Sequence, residues 1–370
     1  MRPSRKSRPP ALAALRKQID ALDEQILALL NRRMEVVRQI GRVKSQSSGH
    51  VLDAARERQI LDRLRSLNPG PLSEDDVCAI FGEVMSAARR LQRPCSASYF
   101  GPEATFTHLA ALKYFGRGTR LLPLPGIVDV FGAVERGRTD FGVVPVENST
   151  EGVVNYTLDL LYATDLKLCG EVYLEVTHNL VSASGRREDI ERVYSHPQPF
   201  AQCREWLAKN MAGVPQLEAR STAEAARKAK EDTRSAAITS LFAAQTYGLE
   251  VIEERIEDNP RNYTRFAVLG RQECERTGSD KTSLLFSTED VPGALFSALA
   301  PFAKRGINLT KLESRPMKAQ AWRYIFFVDL EGHAADEAVS ETLAELGRCC
   351  RFVKLLGSYP KAHDQEKFAR

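Results

Sequence analysis

No apolar run in this 370-residue sequence reaches the roughly 18 residues that a membrane-spanning helix needs. The seven cysteines, Cys78, Cys95, Cys169, Cys203, Cys274, Cys349 and Cys350, are scattered. None has C-x-x-C spacing, which argues against a zinc site or a redox motif and for free thiols in a reducing compartment. No internal repeat or low-complexity stretch appears. Aromatic residues are nearly missing from the first 95 positions, where Phe81 stands alone. That excludes a stacking platform for nucleic-acid bases. A secretory leader is not expected, because Arg16, Lys17, Asp20, Asp23 and Glu24 interrupt the apolar stretch that would form its core, and a transit peptide is the lesser alternative for this N-terminus. Residues 1–10, basic and rich in Ser and Pro, read as a disordered tail, and 361–370 as a second tail. The expected location is the cytoplasm.

What is present fits a globular chain: 43% hydrophobic and 27% charged residues, with length enough for two or three domains. Charge is uneven. Residues 1–95 hold 18 Lys/Arg against 11 Asp/Glu, a balance of +7, and the remainder holds 34 against 37, a balance of −3. The basic excess suits nucleic acid or a small anionic substrate, and its arginines are dispersed rather than clustered.

Residues 11–94 read as helices. Leu12, Leu15, Ile19, Leu22, Ile26, Leu29, Arg33, Val36, Ile40 and Val43 keep a 3-4 spacing, which predicts one helix about 50 Å long. Its apolar seam exceeds what a small domain can bury, so it needs a partner, most simply a second copy of itself. A second helix is expected over 52–67, and a third from an N-cap at Ser73 to about Arg93. Arg33 puts a charge into the seam. It either pairs with a buried acid or reaches solvent, or it belongs to an anion site inside the bundle. Lys44, eleven positions later, falls on nearly the same face, and Asp53, Arg56 and Glu57 share a face of the second helix.

Residues 97–275 alternate short β-type runs with helical stretches. Strands are expected at Ala97–Phe100, Phe141–Val146, Gly170–Thr177, Arg192–Tyr194, Ala236–Thr239 and Phe266–Leu269. Helices are expected at Ala201–Lys209, Ala223–Glu231 and Leu241–Tyr247. This predicts α/β layers with mainly parallel sheets, in two lobes around a cleft. Four polar motifs sit at strand ends: FGPEATFTH (100–108), GVVPVENSTEG (142–152), VYSHPQPFAQC (193–203) and NYTRFAVLG (262–270). Each is either a capping turn or part of a ligand cleft. Residues 281–360 read as β-α-β-β-α-β, with strands Thr282–Ser287, Ile307–Glu313, Trp322–Leu330 and Phe352–Ser358 and helices Ala294–Lys304 and Asp336–Leu346.

The stretch LRKQIDALDEQILALLNRRMEVVRQIGRVK with VLDAARERQIL resembles the all-helical chorismate mutases. That resemblance implies an intertwined dimer with Arg16 (from the partner subunit), Arg33, Lys44 and Arg56 as substrate cations. Glu57 and Gln92 would hydrogen-bond the substrate, and Asp53 would help hold it. Ala88 stands where relatives often have Ser. The four central motifs together resemble the prephenate dehydratases. They imply Thr264 as the leading catalytic residue, Glu147, Asn148, Ser195 and Gln202 lining the cleft, and Arg265 meeting a carboxylate. Ala104 replaces a usual Gly. PGALF (292–296) and LESRP (312–316) resemble the ACT regulatory domain, of ferredoxin-like α+β fold. The phenylalanine site would involve Gly293, Ala294, Leu295, Asn308, Leu309, Glu313, Ser314 and Arg315, with Glu313 and Arg315 at a subunit boundary and Phe296 in place of a smaller residue.

The whole implies conversion of chorismate to prephenate and of prephenate to phenylpyruvate, inhibited by phenylalanine, in a homodimer or tetramer. No metal, cofactor, nucleic acid or membrane is implied. The alternatives are a prephenate or arogenate dehydratase whose helices only dimerise, and a two-lobed binder or sensor of small molecules.

Overall fold

A computed structural model describes residues 12–45, 53–316 and 324–362. Both expected tails lie outside the described residues except Lys361 and Ala362. The expected helix break at Ser47–Gly49 and the strand start at Trp322 also lie outside them.

The first helix, α1 (Leu12–Ser45), runs unbroken for 34 residues, as its 3-4 spacing requires. The second, α2 (Ala54–Leu67), starts where the Asp53 carboxylate accepts the Arg56 amide at 2.8 Å. The third, α3 (Glu74–Gln92), opens on a capping box between Ser73 and Asp76. The C-terminal half of α1 is covered on one side, where Val37 is buried, but the seam stays exposed along its length, from Ile19, Leu22, Ile26 and Leu29 at 54–66% to Val36, Ile40 and Val43 at 43–67%. The bundle rests on the next segment through α3. A Cβ on Gly118 would lie 2.5 Å from the Ser86 carbonyl oxygen, so no larger residue fits there.

In the central segment the strands are β1 (Ser96–Phe100), β2 (Arg120–Leu124), β3 (Phe141–Asn148), β4 (Gly152–Val153), β5 (Lys167–Glu175), β6 (Asn179–Ser182), β7 (Arg192–Ser195), β8 (Gln216–Glu218), β9 (Ser235–Thr239), β10 (Glu250–Glu253) and β11 (Tyr263–Gly270). They form two sheets, β2-β1-β3-β11-β5 with β4 on β3, and β10-β6-β9-β7-β8. The chain leaves the first sheet after β5, builds the second, and returns as β11. The lobes are thus joined by two crossings, at residues 176–178 and 254–262. The sheets are mixed rather than mainly parallel, because β11 comes back between β3 and β5 and pairs antiparallel with both. The helix expected at 201–209 is two, α7 (Pro197–Gln202) and α8 (Arg204–Asn210), meeting at Cys203; it follows α4 (Phe106–Phe115), α5 (Ile127–Glu135) and α6 (Asn155–Ala163) and precedes α9 (Thr222–Glu231) and α10 (Leu241–Tyr247).

The last segment is a four-stranded antiparallel sheet, β13-β14-β12-β15, of β12 (Asp280–Ser287), β13 (Leu309–Pro316), β14 (Tyr324–Glu331) and β15 (Phe352–Pro360). Helices α11 (Ala294–Lys304) and α12 (Glu337–Cys349) cover one face through Leu284, Phe286, Phe302, Val328 and Leu346. The other face packs on the first central sheet, with Leu285, Phe327 and Leu356 against Val144, Leu168 and Leu269. This explains why β12 is buried along its whole length on both faces. At Gly357 the backbones of β15 and β5 approach so closely that a Cβ would sit 2.3 Å from the Leu168 carbonyl oxygen.

Candidate functional site

Between the two central lobes lies a cleft of about 700 Å³, walled by Phe100, Phe106, Asn148, His178, Gln202 and Thr264 among others. Three of the residues expected there are brought together. The Asn148 side-chain amide donates to Thr264 Oγ1 at 2.8 Å, and Gln202 reaches across from the second lobe. Strand pairing sets this up: Thr264 stands opposite Asn148, and Arg265 opposite Glu147. Because side chains alternate along a strand, the first pair faces the cleft and the second faces the opposite side of the sheet.

Glu147 and Arg265 therefore do not wall the cleft, contrary to expectation. Arg265 is buried and holds Glu171 at 2.9 Å, Asp329 at 2.5 Å, Glu147 at 3.3 Å and the Tyr359 hydroxyl at 2.9 Å. Asp329 and Tyr359 belong to the C-terminal segment, as do Lys281, 2.7 Å from Glu171, and Lys311, which pairs with Glu147. Burial opposes the charge on Asp329 and Glu147, but the cations outweigh it. Arg265 and Lys281 hold Asp329, and Arg265 and Lys311 hold Glu147, below the usual carboxylate range. Ser195 is also absent from the cleft. It is fully buried in β7, where its hydroxyl donates to the Ile238 carbonyl at 3.0 Å.

Sequence reasoning missed His178 and Asn262. The first follows β5 directly and the second opens the quoted NYTRF motif, so polarity at a strand end was the available signal. His178 is buried, which lowers its pKa, and lies 2.7 Å from Gln202 Oε1.

In the helical segment Arg33 turns inward. Its Nη1 is buried and has no hydrogen-bond partner among the described residues, and the same holds for Gln92 Oε1. An uncompensated guanidinium in this position is what an anion site requires. Gln92 packs against α1 at Gly41. Asp53 caps α2, Arg56 is exposed, and Glu57 ion-pairs with the buried Arg89, which also bonds the Phe115 carbonyl of the central segment. Arg16 is exposed about 25 Å along α1 from Arg33, too far to serve the same pocket from the same chain. The side chain of Lys44 lies outside the described residues.

Three family models match in succession: chorismate mutase type II over residues 15–93, prephenate dehydratase over 97–274 and the ACT domain over 282–348. The bifunctional chorismate mutase/prephenate dehydratase of Aquifex aeolicus is 48% identical over 359 residues, covering 96% of this chain and 99% of that one. The chain belongs to this bifunctional family. The enzyme of the same description from Pseudomonas aeruginosa is 43% identical, over 95% and 98% of the two chains. Among solved structures, the prephenate dehydratase of Arthrobacter aurescens in complex with L-Phe superposes with a TM-score of 0.66 at 36% identity, covering 73% of this chain and 91% of that one.

The ACT domain divides its expected ligand residues. Gly293, in a left-handed conformation (φ 79°), opens α11 and borders a hollow of about 380 Å³ with Ala294, Leu295, Phe296, Tyr324 and Arg351. Arg351, not anticipated, pairs there with Glu289 at 3.0 Å. Asn308 and Leu309 lie beyond the other end of α11, and Ser314 is exposed on β13. Arg315 is a correction. It binds Asp159 at 2.8 Å and the Asn155 carbonyl at 2.6 Å on the dehydratase domain, and Glu313 borders a hollow beside Glu147 and Tyr263. Alternation along β13 puts both on the side of the strand that meets the dehydratase domain.

Proposed function

We propose that this chain catalyses two successive steps of phenylalanine biosynthesis in the cytoplasm, chorismate to prephenate and prephenate to phenylpyruvate, and that phenylalanine inhibits it through the ACT domain. The observation that carries this reading is the coexistence in one chain of two separate polar sites, around Arg33 and around Thr264, within a family match that runs nearly end to end.

The mutase step is an intramolecular rearrangement and needs no nucleophile. Arg33 and Arg56, with Arg16 of a second copy, would clamp the two carboxylates in a compact conformer. Lys44 and Gln92 would meet the negative charge growing on the breaking ether oxygen. In the dehydratase step prephenate takes up one proton and yields phenylpyruvate, water and carbon dioxide. Aromatisation drives it, and the enzyme's task is to polarise the departing ring hydroxyl. Thr264 is the donor we assign to that role, in a cleft kept polar by Asn148, Asn262 and Gln202.

The distance of Arg16 from Arg33 and the uncovered seam of α1 both support a dimer. A pair of ACT domains would let Gly293–Leu295 of one copy meet Asn308 and Leu309 of the other around one phenylalanine.

A coupled assay tests this. Purified protein given chorismate alone should form phenylpyruvate, and added phenylalanine should lower the rate. Accumulation of prephenate would remove the dehydratase reading, and unconsumed chorismate the mutase reading.

A further inference from the structure

The hydrogen bonds behind Thr264 form a chain whose polarity can be worked out from one end. Asn148 Oδ1 accepts two backbone amides, those of Thr150 at 2.9 Å and Glu151 at 3.0 Å. That fixes which way the Asn148 amide points. Its nitrogen must face Thr264 Oγ1 and, at 2.7 Å, Asn262 Oδ1. Asn262 is thereby fixed in turn, with its own nitrogen donating to Gln202 Oε1 at 3.1 Å. Gln202 Nε2 donates to the Glu151 carboxylate at 3.2 Å, so its oxygen is the acceptor for His178. His178 Nε2, 2.7 Å away, must carry the proton. Burial of the ring favours the neutral form, and Nδ1 has no hydrogen-bond partner among the described residues.

The result is read at Thr264. Its oxygen accepts from Asn148, and Asn148 offers it no acceptor in return, so the hydroxyl proton is left for a group in the cleft. The chain also spans both crossings between the lobes. His178 stands at the first, Asn262 at the second, and Gln202 in the second lobe. The Gln202–Glu151 contact adds a further link between the two lobes.

We propose that His178 and Asn262 are positioning residues of the dehydratase: Asn262 takes the second N–H of the Asn148 amide and His178 anchors Gln202 behind Asn262, so that together they hold Asn148, and through it Thr264, in place as a hydrogen-bond donor to the substrate. The proposal rests on the assignment of Thr264 as the donor. Both are assigned an action through Asn148 and Thr264, although both also border the cleft.

The test is dehydratase kinetics on prephenate with the full chain, with mutase rate and thermal midpoint measured on the same preparations. Thr264→Ala is the reference variant. His178→Leu removes the terminal donor, and Asn262→Asp keeps the shape but sets a carboxylate against the Gln202 oxygen. Each is expected to lower dehydratase kcat about tenfold or more with KM changed less than about threefold, because donor geometry is lost and binding surface is kept. The mutase rate should not move. His178→Gln, whose amide N–H can replace Nε2–H, should recover most of the lost rate. If Thr264→Ala is inactive while His178→Leu and Asn262→Asp keep wild-type kcat, the proposal is overturned and the Thr264 assignment stands. If His178→Gln is as impaired and as thermally weakened as His178→Leu, His178 is only a packing residue and the proposal again fails. An active Thr264→Ala would overturn the assignment beneath it.

Discussion

Ala104 occupies a backbone position that suits glycine. Its φ is +64°, and its methyl group is fully buried against a cluster of the second lobe. An L-residue in this region costs about 1 kcal/mol or more relative to glycine, through contact between Cβ and the backbone. Against that stand the lost methyl burial and the greater freedom of an unfolded glycine. Ala104→Gly is expected to gain about 0.5 kcal/mol, a rise of about 1–2 °C in thermal midpoint by calorimetry. A lower midpoint would mean that methyl packing outweighs the strain. The site residues give sharper contrasts. Arg33→Ala should reduce the mutase rate about a hundredfold or more and leave prephenate turnover intact, since Arg33 and the cleft lie in separate domains. Loss of both activities from this one change would sink the picture of two independent sites.

Strands β3 and β11 carry the dehydratase site on one face and the ACT interface on the other. Asp329 and Glu147 titrate lower in the folded chain than in the unfolded one, where carboxylates titrate near pH 4. Their contribution to stability is therefore complete above about pH 4 and fades as the pH falls toward their folded values. Hydrogen exchange in β11, β12 and β14 should accelerate below about pH 4, ahead of exchange in β9 of the second lobe. Asp329→Asn leaves Arg265 and Lys281 short of a counter-charge in a buried site. It should cost about 3 kcal/mol and lower dehydratase kcat through β11, an effect visible at pH 7. Unchanged melting would show that Glu171 and Glu147 suffice for both cations.

These same strands show where sequence reading stopped. Six of the eleven central strands, β1, β3, β5, β7, β9 and β11, were legible in their apolar cores, and Asn148 and Thr264 in their motifs, whereas the short or more polar β2, β4, β6, β8 and β10 were not. The strands were read as ending at Val146 and starting at Phe266, whereas pairing carries them to Asn148 and from Tyr263. Two residues of lost extension on β3 and three on β11 hid the alternation that separates Asn148 from Glu147 and Thr264 from Arg265. The inward turn of Arg315 was hidden for a different reason, since its partner Asp159 is 156 residues away. The capping box at Ser73 and both helices of the ACT domain needed only local signals, and they were legible.

At the scale of the whole molecule, the proposed dimer would give the long seam of α1 a second user. Among the described residues nothing buries Ile19, Leu22 and Ile26 on its N-terminal half, and an exposed apolar stripe of this length is unstable in water unless another surface covers it. The half that does pack carries Arg33 and meets Gln92, while Arg16 stands on the half that does not. A symmetric pairing of two such helices would bury both stripes at once and carry each Arg16 to the other chain's Arg33. Assembly and mutase chemistry are then one requirement, and prephenate dehydration, whose cleft lies within a single chain, is free of it. Introducing charge at two seam positions, as in Leu22→Glu with Ile26→Glu, should convert the protein to a smaller species by light scattering. It should also reduce mutase activity by about two orders of magnitude and leave prephenate turnover within about twofold of the parent, because only the first site is shared between chains. A variant that dissociates and still rearranges chorismate at the parent rate would show that Arg16 serves no second copy, and that the seam is covered for stability alone.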